Sequence, residues 1–330
     1  MPVLGTRVLQ RALPSATFVA AALVLAGCGA SSTPATSNPA SSWTTPVQVE
    51  PTSSASLYGV SCVSSAWCVA VDDNGSAILR QDGRWKPPVP VPAGGTLTSV
   101  ACSSTTHCIA VSSGGRASTF NGKRWSPGQA IGPPASYDIS CPTANFCAAV
   151  GASGTPSGGS TVATFSRSRW SSMHVLVGGS PLNHLLGVSC ATATFCVAIN
   201  YGGSALVYDG TRWASATTGV PQGLWAISCP TRTFCMAIST AAYSTFDGTK
   251  WSEPSPIPGL EPALARSVSC LSSTVCTVIG LSGSGADWRH GAWSKPSIIF
   301  PGGVVASVAL SCVAPNTCVA VNSRGLASSS

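Results

Sequence analysis

Seven Cys-x5-Cys pairs at a near-constant period, a tryptophan strand after six of them, and one more such strand ahead of the first pair all point one way. They predict an all-β fold: a seven-bladed β-propeller of four-stranded antiparallel blades, with the N-terminal strand completing the last blade. Composition agrees. Only 8% of the 330 residues are charged and 44% are hydrophobic, with 34 Gly and 25 Pro. That balance suits short strands and turns better than long surface helices, which need Glu, Lys and Arg.

The chain opens on an export signal. Arg7 and Arg11 give a positive start, and "ALPSATFVAAALVL" (Ala12 to Leu25) is an apolar run too short for a comfortable membrane span. It ends in Leu25-Ala26-Gly27-Cys28, which resembles the lipobox of bacterial lipoproteins, whose cysteine is acylated and becomes the new N-terminus. Residues 1–27 are therefore expected to be a lipoprotein signal peptide and Cys28 the lipidated residue. Residues 28–42 contain "GASSTPATSNPASS", rich in Ser, Thr, Pro and Ala and without a hydrophobic face. Such a segment cannot bury enough to order itself and reads as a flexible tether. The expected location is extracytoplasmic, on the outer face of the cell membrane.

From residue 43 to 330 the repeat takes over. The pairs are Cys62-Cys68, Cys102-Cys108, Cys141-Cys147, Cys190-Cys196, Cys229-Cys235, Cys270-Cys276 and Cys312-Cys318, and the first cysteines are separated by 40, 39, 49, 39, 41 and 42 residues. Zinc sites place cysteines two to four residues apart and need a second pair, and an exported chain meets oxidising conditions. Disulfides follow, each clamping a tight turn between the first and second strands. Closing so short a loop contributes roughly 2–2.5 kcal/mol per bridge through the unfolded chain, less any strain.

After each second cysteine comes a turn such as "DDNGS", "SSGGR", "NYGGS" or "NSRGL", then a third strand. A polar turn and a tryptophan open the fourth: "QDGRW", "NGKRW", "SRSRW", "DGTRW", "DGTKW", "RHGAW". Asp-Gly and Asn-Gly are strong hairpin signals. The seventh unit stops at "NSRGLASSS", one strand short, while "SSWTTPVQV" (Ser41 to Val49) carries Trp43 in the tryptophan column. The first strand therefore belongs with the last unit, which closes the ring and leaves no open sheet between its ends. Alternation places the indoles between blades and Arg84, Arg124, Arg169, Arg212 and Lys250, one residue earlier, in solvent. The residue before each first cysteine is Ser in six repeats and Ala101 in one, a small side chain where inner strands converge.

"GGSALVYDGTRW" (Gly202 to Trp213) resembles kelch units, and "DGTKW" (Asp247 to Trp251) resembles the Asp-box of sialidase-like propellers. More broadly the chain is similar to cysteine-bearing propeller repeats of exported actinobacterial proteins. The sialidase resemblance implies three arginines on a carboxylate, a Tyr/Glu nucleophilic pair and an acid. A degenerate glycosidase-like propeller is accordingly the alternative function.

The residues argue against catalysis. Glycosidases need two placed carboxylates. Of ten acids, Asp82, Asp209 and Asp247 sit in hairpin turns that local backbone bonding explains, and Glu253 and Glu261 lie near prolines. Asp72, Asp73, Asp138 and Asp287 remain as candidates for a central site. Four scattered histidines suggest neither a metal site nor a Ser/His/Asp triad, and no glycine-rich phosphate loop is present. The chain is read as no enzyme, with no metal and no cofactor. Its formal charge of +7 includes Arg7 and Arg11 and forms no block, so nucleic acid is not an expected partner.

A binding face is the better expectation. The residue four before each first cysteine stands near the axial channel: Tyr58, Thr98, Tyr137, Leu186, Trp225, Arg266 and Val308. Tyr58, Tyr137, Trp225 and Arg266, with the adjacent Asp138, form the candidate ligand site, since aromatic rings stack on sugars and peptide side chains. The longer third unit adds "GASGTPSGGS" (Gly151 to Ser160), a loop on the same face. The sequence thus predicts a membrane-tethered, monomeric binding or scaffold module for an envelope protein or glycan.

Overall fold

The computed structural model describes residues 41–50, 55–152, 159–171, 174–176, 184–215, 223–240, 242–260 and 265–330. Cys28, most of the tether, Glu261 and the middle of the Gly151–Ser160 loop lie outside them. The described residues form seven antiparallel sheets, one for each repeat, and the protein is a seven-bladed propeller.

Blade 1 shows the pattern. Leu57–Ser64 pairs with Trp67–Asp72, which pairs with Ser76–Gln81, and the outer strand follows as Arg84–Trp85 and Val89–Pro90. That outer strand is interrupted because Pro87 and Pro88 bring no N–H to the ladder. The register sets Cys62 opposite Cys68 with Cα atoms 4.0 Å apart, and all seven pairs form disulfides across the first hairpin.

Ring closure follows the sequence reading. Val47–Gln48 pairs with Leu326–Ser329, Val47 opposite Ala327, and supplies the outer strand of blade 7. Thr44 repeats a bond found along the tryptophan column. The residue after the Trp donates its N–H to the third strand: Ser126 to Thr119, Ser171 to Thr164, Ser252 to Thr245 and Ser294 to Asp287 at 2.7–2.8 Å, and Thr44 to Ser329 at 2.8 Å. In these five blades its hydroxyl accepts an N–H in return, 3.1 Å from Ser329 N to Thr44 Oγ1. Ser41 adds an anchor. It donates its N–H to Asp287 Oδ2 of blade 6 at 2.8 Å and its hydroxyl to Asn316 Oδ1 of blade 7 at 3.1 Å.

Among the described residues the core is divided into seven apolar clusters, each between two consecutive blades. Between blades 1 and 2, for example, Val69, Val71 and Ala77 meet Leu97, Val100 and Phe120. Each cluster receives one column tryptophan: Trp125, Trp170, Trp213, Trp251, Trp293, Trp85 and, between blades 6 and 7, Trp43. The basic residues before them are exposed, as alternation requires. Phe120, Phe165, Tyr208, Phe246 and Trp288 on the third strands pack beside their tryptophans at 5.2–5.5 Å between centroids. Such pairs add roughly 0.5–1.5 kcal/mol beyond burial.

The serine column does more than save space. Each Ser Oγ accepts the N–H of the first cysteine in the next blade: Ser61 from Cys102, Ser140 from Cys190, Ser189 from Cys229, Ser228 from Cys270, Ser269 from Cys312 and Ser311 from Cys62, at 2.8–3.1 Å. Inner strands of neighbouring blades share no ladder, so side-chain oxygens satisfy these amides instead. Ala101, between blades 2 and 3, is the one position of the column without a hydroxyl.

Candidate functional site

The first strands line an axial channel that encloses ≈ 270 Å³. Which residue faces it depends on a single extra residue. In blades 1, 2, 4 and 6 the register slips between Leu57 and Gly59, Leu97 and Ser99, Leu185 and Gly187, and Ala265 and Ser267. Blade 5 does likewise, with the Trp225 N–H and the paired Ala226 both set against Ile238. The bulged residue projects to the channel, so Tyr58, Thr98, Leu186, Trp225 and Arg266 line it.

Blades 3 and 7 lack the extra residue. Tyr137 pairs directly with Gly151 and Val308 with Asn322, so both occupy the ladder position of Leu57 rather than that of Tyr58. Tyr137 is only 2% exposed, packed between blades 2 and 3, and its hydroxyl donates to the Pro133 carbonyl at 2.9 Å. Gly151 leaves room for the ring: a Cβ there would sit 2.8 Å from Tyr137 Cδ1. Tyr137 therefore does not join the other candidates at the channel, because a one-residue shift turns a strand side chain to the other face.

Asp138 lines the channel in its stead, with both carboxylate oxygens engaged. Oδ1 accepts from Ser99 Oγ of blade 2 at 2.8 Å and Oδ2 from the Val188 N–H of blade 4 at 2.9 Å. Burial raises its pKa, and these bonds work in the opposite direction. Ser267 makes the corresponding tie to the Leu310 N–H between blades 6 and 7. Asp138 is thus a strap across three blades and the only carboxylate among the described lining residues. Asp72 lies at the seam beside Glu50, Asp287 binds Ser41, Thr277 and Arg289, and Asp209 and Asp247 accept amides of their own turns. None of these lines the channel, so among the described residues no pair of carboxylates suited to glycoside hydrolysis gathers there. Nor, among those residues, is any group of three His, Cys, Asp or Glu side chains placed to hold a metal.

Trp225 and Arg266 form the centre of the site. Arg266 Cζ lies 3.5 Å from the Trp225 ring centroid, a stacked cation–π pair. Tyr201 meets the same indole edge-on, with 5.1 Å between centroids. Burial lowers the Arg266 pKa below the ordinary guanidinium value, and no carboxylate among the described residues pairs with it. Arg266 Nη1 and Trp225 Nε1 are both enclosed and have no hydrogen-bond acceptor among the described residues. Tyr58 stands 41% exposed and Tyr201 38%. Sequence reasoning missed Tyr201, although "NYGGS" places an aromatic ring in a turn that is otherwise small or polar.

No family model matches the chain, and no curated protein matches it. Solved propellers do. YCF48 bound to a D1 peptide aligns with a TM-score of 0.65 and 15% identity, over 90% of this chain and 98% of that one. YCF48 from Cyanidioschyzon merolae aligns with a TM-score of 0.62 and 14% identity, over 87% and 98%. The WD40 propeller domain of Doa1 aligns with a TM-score of 0.64 and 11% identity, over 88% and 95%. At such identities the likeness shows the fold alone: the chain shares the architecture of these propellers.

Proposed function

We propose that this chain is an extracytoplasmic binding module, held to the membrane through an acylated Cys28 and recognising a protein of the cell envelope at the channel mouth. The stacked but unpaired Arg266 on Trp225 carries this reading, because a half-buried charge without a partner is costly unless a ligand supplies one. The YCF48 structure with its D1 peptide supports it, as a propeller of similar shape with a peptide bound. A glycan stacked on Trp225 is disfavoured, since Arg266 covers one face of that indole and Tyr201 meets its edge. The repeats belong, on this proposal, with cysteine-bearing relatives of kelch and Asp-box propellers that bind rather than hydrolyse.

Tethering suits the geometry. Each first strand begins at the mouth and ends in a disulfide loop, and Ser41 is bound by Asn316 within the last such loop. A tether ending there leaves the mouth on the far side from its attachment. The test is capture from envelope extract by wild type and by a Tyr58→Ala/Trp225→Ala/Arg266→Ala variant. The proposal expects one or more proteins retained by wild type and lost by the variant; equal capture by both overturns it.

A further inference from the structure

We infer that the Arg266–Trp225 pair is an anion grip that receives a peptide carboxylate at the mouth of the axial channel. The inference rests on the binding reading above and narrows it to a chemical class of ligand.

Arg266 is the single basic residue among the described residues lining the channel, so they form no three-arginine clamp and one guanidinium does the work. Its planar fork is held over the indole at 3.5 Å, which removes much of its conformational freedom before any ligand arrives. The one described lining carboxylate, Asp138, is committed to Ser99 and Val188 and does not neutralise it. Arg266 Nη1 is the one guanidinium nitrogen among the described residues that is enclosed without an acceptor, whereas the unpaired Trp225 Nε1 is shared with the indoles of Trp213, Trp251 and Trp293. A carboxylate supplies two acceptor oxygens in the plane of the fork and pairs with the guanidinium. Small residues on the wall, Gly59, Gly187 and Ala226 among them, leave a channel of ≈ 270 Å³, which fits the end of a chain or one side chain rather than a folded surface. Tyr58, exposed on the rim of blade 1, offers an apolar ring to the residue behind that carboxylate.

The carboxylate has two sources, a chain terminus and an acidic side chain, and three probes separate them. Calorimetric titrations of the purified protein use N-acetyl-Ala-Ala-Ala with a free C-terminus, the same peptide as its C-terminal amide, and N-acetyl-Ala-Glu-Ala amide. The inference expects at least one acidic probe to bind about tenfold or more tightly than the neutral amide. The stronger of the two identifies the source. Arg266→Gln abolishes the preference, whereas Arg266→Lys keeps part of it, because a point charge lacks the fork. Equal affinity of wild type for all three probes, or no binding by any, overturns the inference; that comparison needs no variant and so survives one that misfolds. A protein that ignores the charge of the probes but still loses its captured partner in the triple alanine variant retains the proposed function and loses this grip.

Discussion

The carboxyl of Glu50, on the segment that closes the ring, lies beside the carboxyl of Asp72 at the end of the second strand of blade 1, close enough for each to perturb the other. Both side chains are buried, 3% and 1% exposed. Burial first, then the charges of Asp72 and Asp73, raise Glu50 to about 7 from its ordinary 4.5. The folded state therefore holds a proton that the unfolded chain releases. The stability this brings is complete below 4.5 and lost as pH rises to about 7. Melting temperature is expected to fall across that window. Glu50→Gln removes the titration and should flatten the slope; an unchanged slope contradicts the assignment.

The serine ring predicts its own repair. Between blades 2 and 3 the column offers Ala101, where the other six interfaces offer a hydroxyl. Ala101→Ser should stabilise by about 0.5–1.5 kcal/mol through a new bond to the Cys141 N–H. Ser189→Ala, which removes the 2.8 Å bond from Cys229, should destabilise by about 1 kcal/mol. Denaturant unfolding measures both. If Ser189→Ala leaves the midpoint unmoved, the hydroxyl contributes no net stability.

Closure of the ring predicts a third result. Trp43 is the only column tryptophan supplied from outside its own repeat, and it packs between blades 6 and 7 beside Cys312 and Leu326. Trp43→Ala should cost about 2 kcal/mol, since the indole is only partly buried. Removing residues before Glu50 should cost more, because the edge of Leu326–Ser329 is then left unpaired. Thermal unfolding of both forms checks the order, and equal midpoints for wild type and truncation would contradict the role of this strand.

The blade count, the disulfides and the ring closure were legible because each is written as a spacing: a cysteine pair, a tryptophan after a polar turn, and one strand missing at the end. The channel wall was legible only in part. A fixed offset from the first cysteine finds Tyr58, Thr98, Leu186, Trp225, Arg266 and Val308 but exchanges Tyr137 for Asp138. The bulge does leave a trace, as a buried apolar residue five before the cysteine in Leu57, Leu97, Leu185, Leu224 and Ala265, and four before it in Tyr137 and Val308. Aligning on that residue rather than on the cysteine recovers the wall. The Glu50–Asp72 pair and the hydroxyl ties between blades had no such trace, since both depend on contacts between distant segments.

The channel mouth as the place of partner binding is tested most directly by photocrosslinking at two single positions. Benzoylphenylalanine replaces either Tyr58, 41% exposed at the mouth, or Ile298, 71% exposed on the outer strand of blade 6. Irradiation of intact cells should join a partner to the protein substituted at position 58 and leave the one substituted at 298 unmodified. Adducts at 298 with none at 58 would move the binding surface to the blade edges and contradict the account.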